Sequence, residues 1–147
     1  MPEVKENELE KQKLILEQWK TCVEMANSVS QRRDTMNNIF VTVNLAIVAA
    51  VTVSWDSKCA LLSMAGLVIC CIWFLFIGNY KNLNKEKFQI IHELENELPT
   101  QPFADEWVLL KANKKYKNGT KLEKALPFSF IALYVIIVGI IIKICLI

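Results

Sequence analysis

Residues 30–55 read SQRRDTMNNIFVTVNLAIVAAVTVSW, and this stretch decides how the chain folds. Arg32 and Arg33 lie near its start, and after Asn38 it becomes almost purely apolar, except for Asn44, two threonines and Ser54. It contains neither glycine nor proline, so nothing in it breaks a helix. The pattern predicts a helix that starts in a polar environment and continues into a membrane.

Two other stretches have the same apolar character. Residues 59–77 (CALLSMAGLVICCIWFLFI) carry no charge, and the run from Pro127 to Ile147 carries only Lys143. Crossing a hydrocarbon core takes about 20 helical residues. The second and third runs meet this length directly, and the first meets it if its start is placed near Met36. A soluble protein would instead need three long buried helices without the polar face that soluble helices show.

The distribution of charge supports the same interpretation. Hydrophobic residues make up 53% of the 147-residue chain, and residues 1–38 and 79–125 hold nearly all the charge. Acids alternate with lysines and the net charge is only +2, which argues against a nucleic-acid-binding protein. The five cysteines form no C-x-x-C pair and accompany a single histidine, so we interpret them as packing residues rather than metal ligands.

The sequence therefore predicts an all-α membrane protein in four parts. Residues 1–38 form a long N-terminal cytosolic helix, 39–77 a transmembrane hairpin, 78–125 a cytosolic helical segment, and 126–147 a C-terminal transmembrane helix. Nine lysines lie in 79–125, whereas the turn after the first span has only Lys58. The positive-inside rule then places the N-terminus and the 79–125 segment in the cytoplasm.

The N-terminal helix carries a weak seven-residue repeat. Leu9, Leu16, Val23 and Ser30 recur at this spacing. The repeat fits a solvated helix packed on the 79–125 segment, and it equally fits a helix bundle between subunits. No break separates this helix from the first span. In the 79–125 segment we expect a helix that ends at Pro99 and a shorter one from about Ala104 to Tyr116.

Polar residues within the first span raise the question of function. One stripe of the helix contains Asn37, Val41, Asn44, Val48 and Val51, and the adjacent stripe contains Asn38, Thr42, Leu45 and Thr52. An asparagine in a membrane helix needs a hydrogen-bonding partner. The first stripe either bonds to other helices inside each subunit or forms a polar ring around an oligomer axis, with the three valines as a gate. Three spans cannot enclose water alone, so a pore requires several copies, and we expect a tetramer.

No motif for catalysis is present. The chain has only four glycines and contains no phosphate-binding loop, no G-x-S-x-G and no H-E-x-x-H. We therefore expect a protein that is not an enzyme and that needs no cofactor. The competing expectation to a channel is a non-conducting scaffold or a regulatory subunit of another membrane complex.

The order of short motifs resembles a known family. The chain shows RR…NNIFVTVNLAIVAA, then YKNLNKEKFQIIHELENELP, then EW, then Y…T…LE…P…F…LY. This order is similar to that of the SLATT-type effectors, small bacterial membrane proteins usually encoded beside nucleotidyltransferases in anti-phage systems. The resemblance implies a pore-forming effector in the bacterial inner membrane, responding to a nucleotide or oligonucleotide made by a partner nucleotidyltransferase. The third span departs from the plain two-span pattern of that family.

The residues that would couple such a signal to the membrane lie at its cytosolic boundary. Arg32 and Arg33 either reach up to lipid phosphates or pair with an acid of the second cytosolic segment, namely Glu95, Glu106 or Glu123. In the second case Trp107 would pack between the cytosolic helices. We therefore select Arg33, Glu95, Trp107 and Glu123 as the candidate coupling residues.

Overall fold

The computed structural model describes residues 2–53, 57–117 and 119–145, and these residues form four helices and no strand. The helices are α1 (Pro2–Val53), α2 (Ser57–Glu95), α3 (Pro102–Ala112) and α4 (Gly119–Cys145). The predicted all-α fold is confirmed. α1, α2 and α4 each contain a segment long and apolar enough to cross a membrane.

The two longest helices run through the expected boundaries between polar and apolar regions. α1 has 52 residues and continues without interruption from the charged N-terminal region into the first apolar run, as the lack of helix breakers predicts. α2 likewise has 39 residues and continues past residue 77 as far as Glu95. The predicted four-part division of the chain is therefore not marked by helix ends at residues 38 and 77.

The short helix α3 differs in its limits from the prediction. It begins at Pro102, two residues before Ala104, because proline is well suited to the first turn, where its missing N–H is not needed. It ends at Ala112, since Asn113 has an extended backbone. Tyr116, the expected last residue, therefore lies beyond the helix.

The chain divides into two compact units, which we describe separately. The charged unit contains Met1–Arg32 and Lys81–Tyr116, and the membrane unit contains Arg33–Tyr80 and Lys117–Ile147. Each unit therefore takes part of α1 and part of α2.

In the charged unit, α1 and α2 pack side by side in opposite directions. Lys11 approaches Glu97, two residues after the end of α2, at 3.4 Å, and Ser30, farther along α1, accepts a hydrogen bond from Asn84, farther back in α2, at 3.4 Å. The buried stripe of α1 consists of Ile15, Ala26 and Val29, which share one side of the helix, and the buried residues of α2 here are Ile91 and Glu95.

In the membrane unit, a cluster of buried residues joins the three apolar helices. It contains Val51 of α1, Cys59 and Cys70 of α2, and Tyr134, Ile137 and Ile141 of α4. The arrangement predicted as a hairpin plus a third helix is thus one packed three-helix group. The packing of α4 onto the hairpin determines where the polar side chains of α1 lie.

Candidate functional site: two polar faces of the first membrane helix

The amide of Asn44 lies fully buried in the membrane unit and links three helices. Its Oδ1 accepts hydrogen bonds from the Cys70 thiol at 3.2 Å and from the Tyr134 hydroxyl at 3.0 Å. Its Nδ2 donates to the carbonyl oxygen of Phe40, one turn earlier, at 2.8 Å. Lipid offers no hydrogen bonds, so an amide within a bilayer is stable only with such partners.

Asn37 has a similar role two turns nearer the N-terminal end of the span. Its Oδ1 accepts a hydrogen bond from the indole Nε1 of Trp73 at 2.8 Å. The buried Trp73 ring stacks on Phe40 at a centroid distance of 5.6 Å. Both asparagines of this stripe therefore bind other helices of the same chain.

A glycine makes the contact between α2 and α4 close enough for this network. A Cβ atom at Gly66 would lie 2.7 and 2.8 Å from Cε2 and Cε1 of Tyr134, and even nearer to its Cζ. Carbon atoms pack at about 3.5–4.0 Å, so no side chain fits there. Gly66 thus lets the Tyr134 ring lie against the backbone of α2 and brings its hydroxyl to Asn44.

The residues predicted to line a pore differ in how far their own chain covers them. Asn44 and Val51 are fully buried within one chain, Val48 packs against the buried cluster, and Asn37 and Val41 are half-buried. In this arrangement Asn44 and Val51 cannot line an axis between copies or form its gate, because other helices of their own chain cover them. The structure agrees with the alternative in which these residues bond and pack inside each subunit.

A second polar face of α1 lies on the opposite side and is exposed. It contains Thr35, Asn38 and Thr42, with the small residue Ala49 on the same side, and Thr52 lies at its edge, about 80° from Asn44. The hydroxyls of Thr42 and Thr52 donate to the carbonyl oxygens of Asn38 and Ala49, both at 2.8 Å. A shallow surface groove of about 310 Å³ is lined by residues of this face and its edge: Thr35, Asn38, Ile39, Thr42 and Val43.

The exposed surfaces of α2 and α4 in the membrane unit are chemically different from that of α1. On α2 they include Leu61, Val68 and Leu75, and on α4 they include Val135 and Ile136. Such surfaces match the acyl chains of lipids. The face of α1 that carries Asn38 and Thr42 is more polar than these surfaces.

At the polar end of the membrane unit, Arg33 is held by two residues of α4. Its Nη2 lies 2.6 Å from Glu123 Oε2 and donates to the Thr120 hydroxyl at 3.1 Å, and its Nε donates to the same Glu123 oxygen at 2.8 Å. The side chains of Arg33 and Glu123 are only 14% and 26% exposed. Of the three acids considered as partners, Glu123 is therefore the one that Arg33 contacts, whereas Arg32 is exposed.

Glu95 belongs to the charged unit, where it has a different role. Its fully buried carboxylate accepts hydrogen bonds from the backbone N–H groups of Phe103 and Ala104 at 3.0 and 3.2 Å, and it lies 3.2 Å from His92 Nδ1. It therefore binds free N–H groups at the start of α3, and its negative charge interacts favourably with the positive end of the helix dipole. Among the three acids considered as partners of arginine, Glu95 thus caps α3, and its selection as a coupling residue stays a prediction.

Trp107 does not pack as the sequence suggested. Its side chain is 45% exposed, and Lys111 Nζ lies 5.3 Å from its ring centroid. The aromatic residues that do connect the charged unit are Trp19, Phe88 and Phe103, whose rings contact one another through Phe103 at 5.7 and 5.8 Å.

The sequence model of the octameric membrane protein family (8xMP) matches residues 16–143, which is most of the chain. The protein belongs to the 8xMP family. The match extends from the charged part of α1 to the end of α4, so it includes both units and both polar faces of the first span. No curated protein and no solved structure is significantly similar to the chain.

The 8xMP family agrees with the expectation of a small oligomeric membrane protein. The family's name describes octamers, so the expected tetramer finds no support in it. Membership of the SLATT-type family is likewise not established by this match. The protein is thus a helical member of the 8xMP family with three candidate membrane spans.

Three residues around Asn44 could not be selected from the sequence. Tyr134 and Cys70 donate hydrogen bonds to Asn44, and Gly66 allows the close approach of Tyr134, yet the sequence suggested no role for Tyr134 or Gly66 and only a packing role for the cysteines. A signal was available in Gly66, because small residues in membrane helices often mark close helix contacts. Nothing in the sequence shows which helix approaches it.

Proposed function

We propose that this protein is a homo-oligomeric membrane channel, an octamer, whose water-filled path is lined by the exposed polar face of α1. The family name supports the octamer. Three spans are too few to surround an aqueous path, so one chain contributes only one wall of it. The role involves no catalytic step.

The observation that carries this proposal is the exposure of Asn38 and Thr42 on the side of α1 opposite Asn44. Because each residue of an α-helix advances by about 100° around the axis, Thr42 lies about 160° and Ala49 about 140° around the helix from Asn44. Asn38 is the last residue before the predicted span, and a water-filled path that begins there solvates its amide. Such a path also explains why Thr42 and Ala49, which follow on the same side of the helix, have small side chains.

The closed state needs an apolar constriction, because a permanently open path would dissipate the membrane potential. Leu45 lies at the edge of the polar face and is 55% exposed. We propose it as the gate in place of Val48 and Val51, which pack inside the subunit. Eight copies of Leu45 around an axis would exclude water by dewetting. Replacement of Leu45 by Asn is accordingly expected to give a leaking channel.

The SLATT resemblance supports a narrower form of the proposal. The protein would act in bacterial anti-phage defence and open in the inner membrane in response to a cytosolic nucleotide or oligonucleotide. The lysines of residues 79–125 support a cytoplasmic N-terminus. Arg33 and Glu123 tie α1 to α4 at the polar end of the membrane unit, and a signal that separated them would release one helix from the other.

Cysteine accessibility during current recording tests the channel. Single cysteines at Thr42 and Ala49, on the polar face, are compared with cysteines at Val43 and Ala50, which are also exposed but lie to one side of it. A charged, water-soluble thiol reagent is expected to reduce the current only in the first two variants, in a background without the reactive native cysteines.

Two results would contradict this expectation. Reaction at Val43 and Ala50, but not at Thr42 and Ala49, would reject the polar face as the lining. A purified octamer that carries no current in planar bilayers, including the Leu45→Asn variant, would reject the channel. The non-conducting scaffold would then take its place.

A further inference from the structure

We propose that copies of the charged unit join head to tail through two different apolar faces on opposite sides of that unit. One face, called here the α3 face, contains Leu9 and Leu16 of α1 with Val108 and Leu109 of α3. The other, the hairpin face, contains Leu14 and Met25 of α1 with Leu83 and Ile90 of α2. This inference rests on the proposed homo-oligomer and names the contact that builds it.

On α1, apolar residues lie on both flanks of the buried stripe. At 100° per residue, Trp19 is displaced by about 40° from Ile15, and Leu9 and Leu16 lie farther round in the same direction, at about 100–120°. Leu14 and Met25 lie at about 80–100° in the opposite direction. Leu9, Leu14 and Met25 are between 52% and 58% exposed.

α2 shows the same division. Phe88 lies on one flank of the side that carries Ile91, and it contacts Phe103 of α3. Leu83 and Ile90 lie on the other flank, 45% and 50% exposed. Since Phe103 also contacts Trp19 of α1, α3 is packed on one side of the α1–α2 pair. Leu83 and Ile90 are therefore on the side without α3.

α3 adds a large apolar surface to its own side. Val108 and Leu109 are 66% and 71% exposed, and no residue of α3 is buried within the chain. The remaining side of α1, opposite the buried stripe, is polar: it exposes Lys13, Glu17, Lys20 and Glu24. Apolar exposure in the charged unit is thus concentrated on two flanks, and contiguous apolar patches of this kind mark interaction surfaces.

The symmetry of a membrane oligomer explains why two faces are needed. All copies insert in the same orientation, which excludes two-fold axes in the membrane plane, so a closed assembly has one rotation axis along the membrane normal. With more than two copies around such an axis, every contact is heterologous, and one face of each chain meets a different face of the next. The repeat Leu9–Leu16–Val23 then belongs to a contact between subunits, which resolves the two interpretations of that repeat.

Crosslinking of cysteine pairs tests the head-to-tail contact in membranes. The variants are Leu109→Cys on the α3 face, Ile90→Cys on the hairpin face, and both changes in one chain, in a background with the native cysteines replaced. A flexible bismaleimide is expected to leave each single variant monomeric on a denaturing gel. Coexpressed single variants should give covalent dimers and nothing larger, and the double variant should give a ladder. The control pair, Lys20→Cys with Ile90→Cys, should give no ladder.

Dimers from either single variant would overturn the proposal, because they require a face to meet itself. The absence of products from all variants would also overturn it. In that case the exposed side of α3 lies on the lipid surface. Brominated lipids would then quench the tryptophan fluorescence of the wild type by a larger fraction than that of Trp107→Phe, because Trp107 would contact the lipid.

A second measurement keeps the native cysteines in place. Leu16→Glu and Leu83→Glu should each raise the dissociation constant of the oligomer at least roughly tenfold by native mass measurement, and Lys20→Glu should not. Unchanged assembly in both glutamate variants would contradict the proposal. If the double cysteine variant gives a ladder but the protein carries no current in bilayers, the head-to-tail contact stands and the channel is rejected. Failure of this inference can therefore be distinguished from failure of the proposed function.

Discussion

Replacement of Gly66 by alanine tests the packing that holds the polar network inside the subunit. The new Cβ would lie 2.7 and 2.8 Å from two ring atoms of Tyr134, and nearer to a third. The ring is fully buried between helices, so it has no free space to move into without displacing its neighbours. Its hydroxyl would leave Asn44, where it donates to Oδ1 at 3.0 Å and to the carbonyl oxygen at 3.3 Å.

The expected loss of stability combines three terms. Overfilling a packed core costs about 1–3 kcal/mol. Loss of an interhelical hydrogen bond in a membrane protein costs about 0.6 kcal/mol on average and at most about 1.7 kcal/mol. Alanine favours a helix over glycine by about 1 kcal/mol, which offsets part of the cost. The free energy of unfolding of Gly66→Ala should therefore be about 1–3 kcal/mol lower than that of the wild type.

The measurement is unfolding in mixed micelles with increasing dodecyl sulfate, at one protein concentration, because assembly contributes to the apparent stability. Gly139→Ala is the matched control: nothing lies within 4 Å of a Cβ at this position. It should be neutral or slightly stabilising. In a Tyr134→Leu background, Gly66→Ala should lose most of its effect. The reasoning is refuted if Gly66→Ala is as stable as Gly139→Ala.

Other parts of the structure give three further predictions. Glu95→Ala removes the carboxylate that caps α3 and should lower local stability by about 1–2 kcal/mol, seen as roughly tenfold faster amide exchange at the start of that helix; unchanged exchange would exclude the cap. Arg33→Ala and Glu123→Ala should each destabilise the protein by about 1–3 kcal/mol, and the double variant little more, because each single change leaves a half-buried partner unpaired; fully additive losses in the same unfolding assay would contradict the ion pair. In a background without native cysteines, Ser57→Cys should react with an impermeant thiol reagent in whole cells and Asn113→Cys should not; the reverse labelling would overturn the proposed orientation.

The helices themselves could be predicted from the sequence because their determinants are local. Apolar runs of membrane-spanning length, with at most one charge each, predict α4 and the apolar parts of α1 and α2. The absence of glycine or proline between Val4 and Val53 predicts the continuity of α1. Pro99 and Pro102 likewise place the interruption between α2 and α3. Each of these features acts within a few residues of the position that it determines.

The interior face of α1 could not be predicted in the same way. Both polar stripes have helical spacing, and the choice between them depends on Tyr134, which lies 90 residues away from Asn44 in the sequence. The partner of Arg33 posed the same problem. Glu95, Glu106 and Glu123 were equivalent as acids, and only the packing of α4 on α1 brings Glu123 to it.

The distinction between these stripes changes how variants of Asn44 must be interpreted. Because a residue step turns the helix by 100°, a modest rotation of α1 exchanges the residues on its exposed face. The hydrogen bonds from Cys70 and Tyr134 oppose that rotation, since they hold one side of α1 against α2 and α4. If Asn44→Leu alters conductance, the change therefore does not make Asn44 a lining residue. Asn44 would act by fixing the rotation of α1, and Thr42 on the opposite side would be the residue in contact with water.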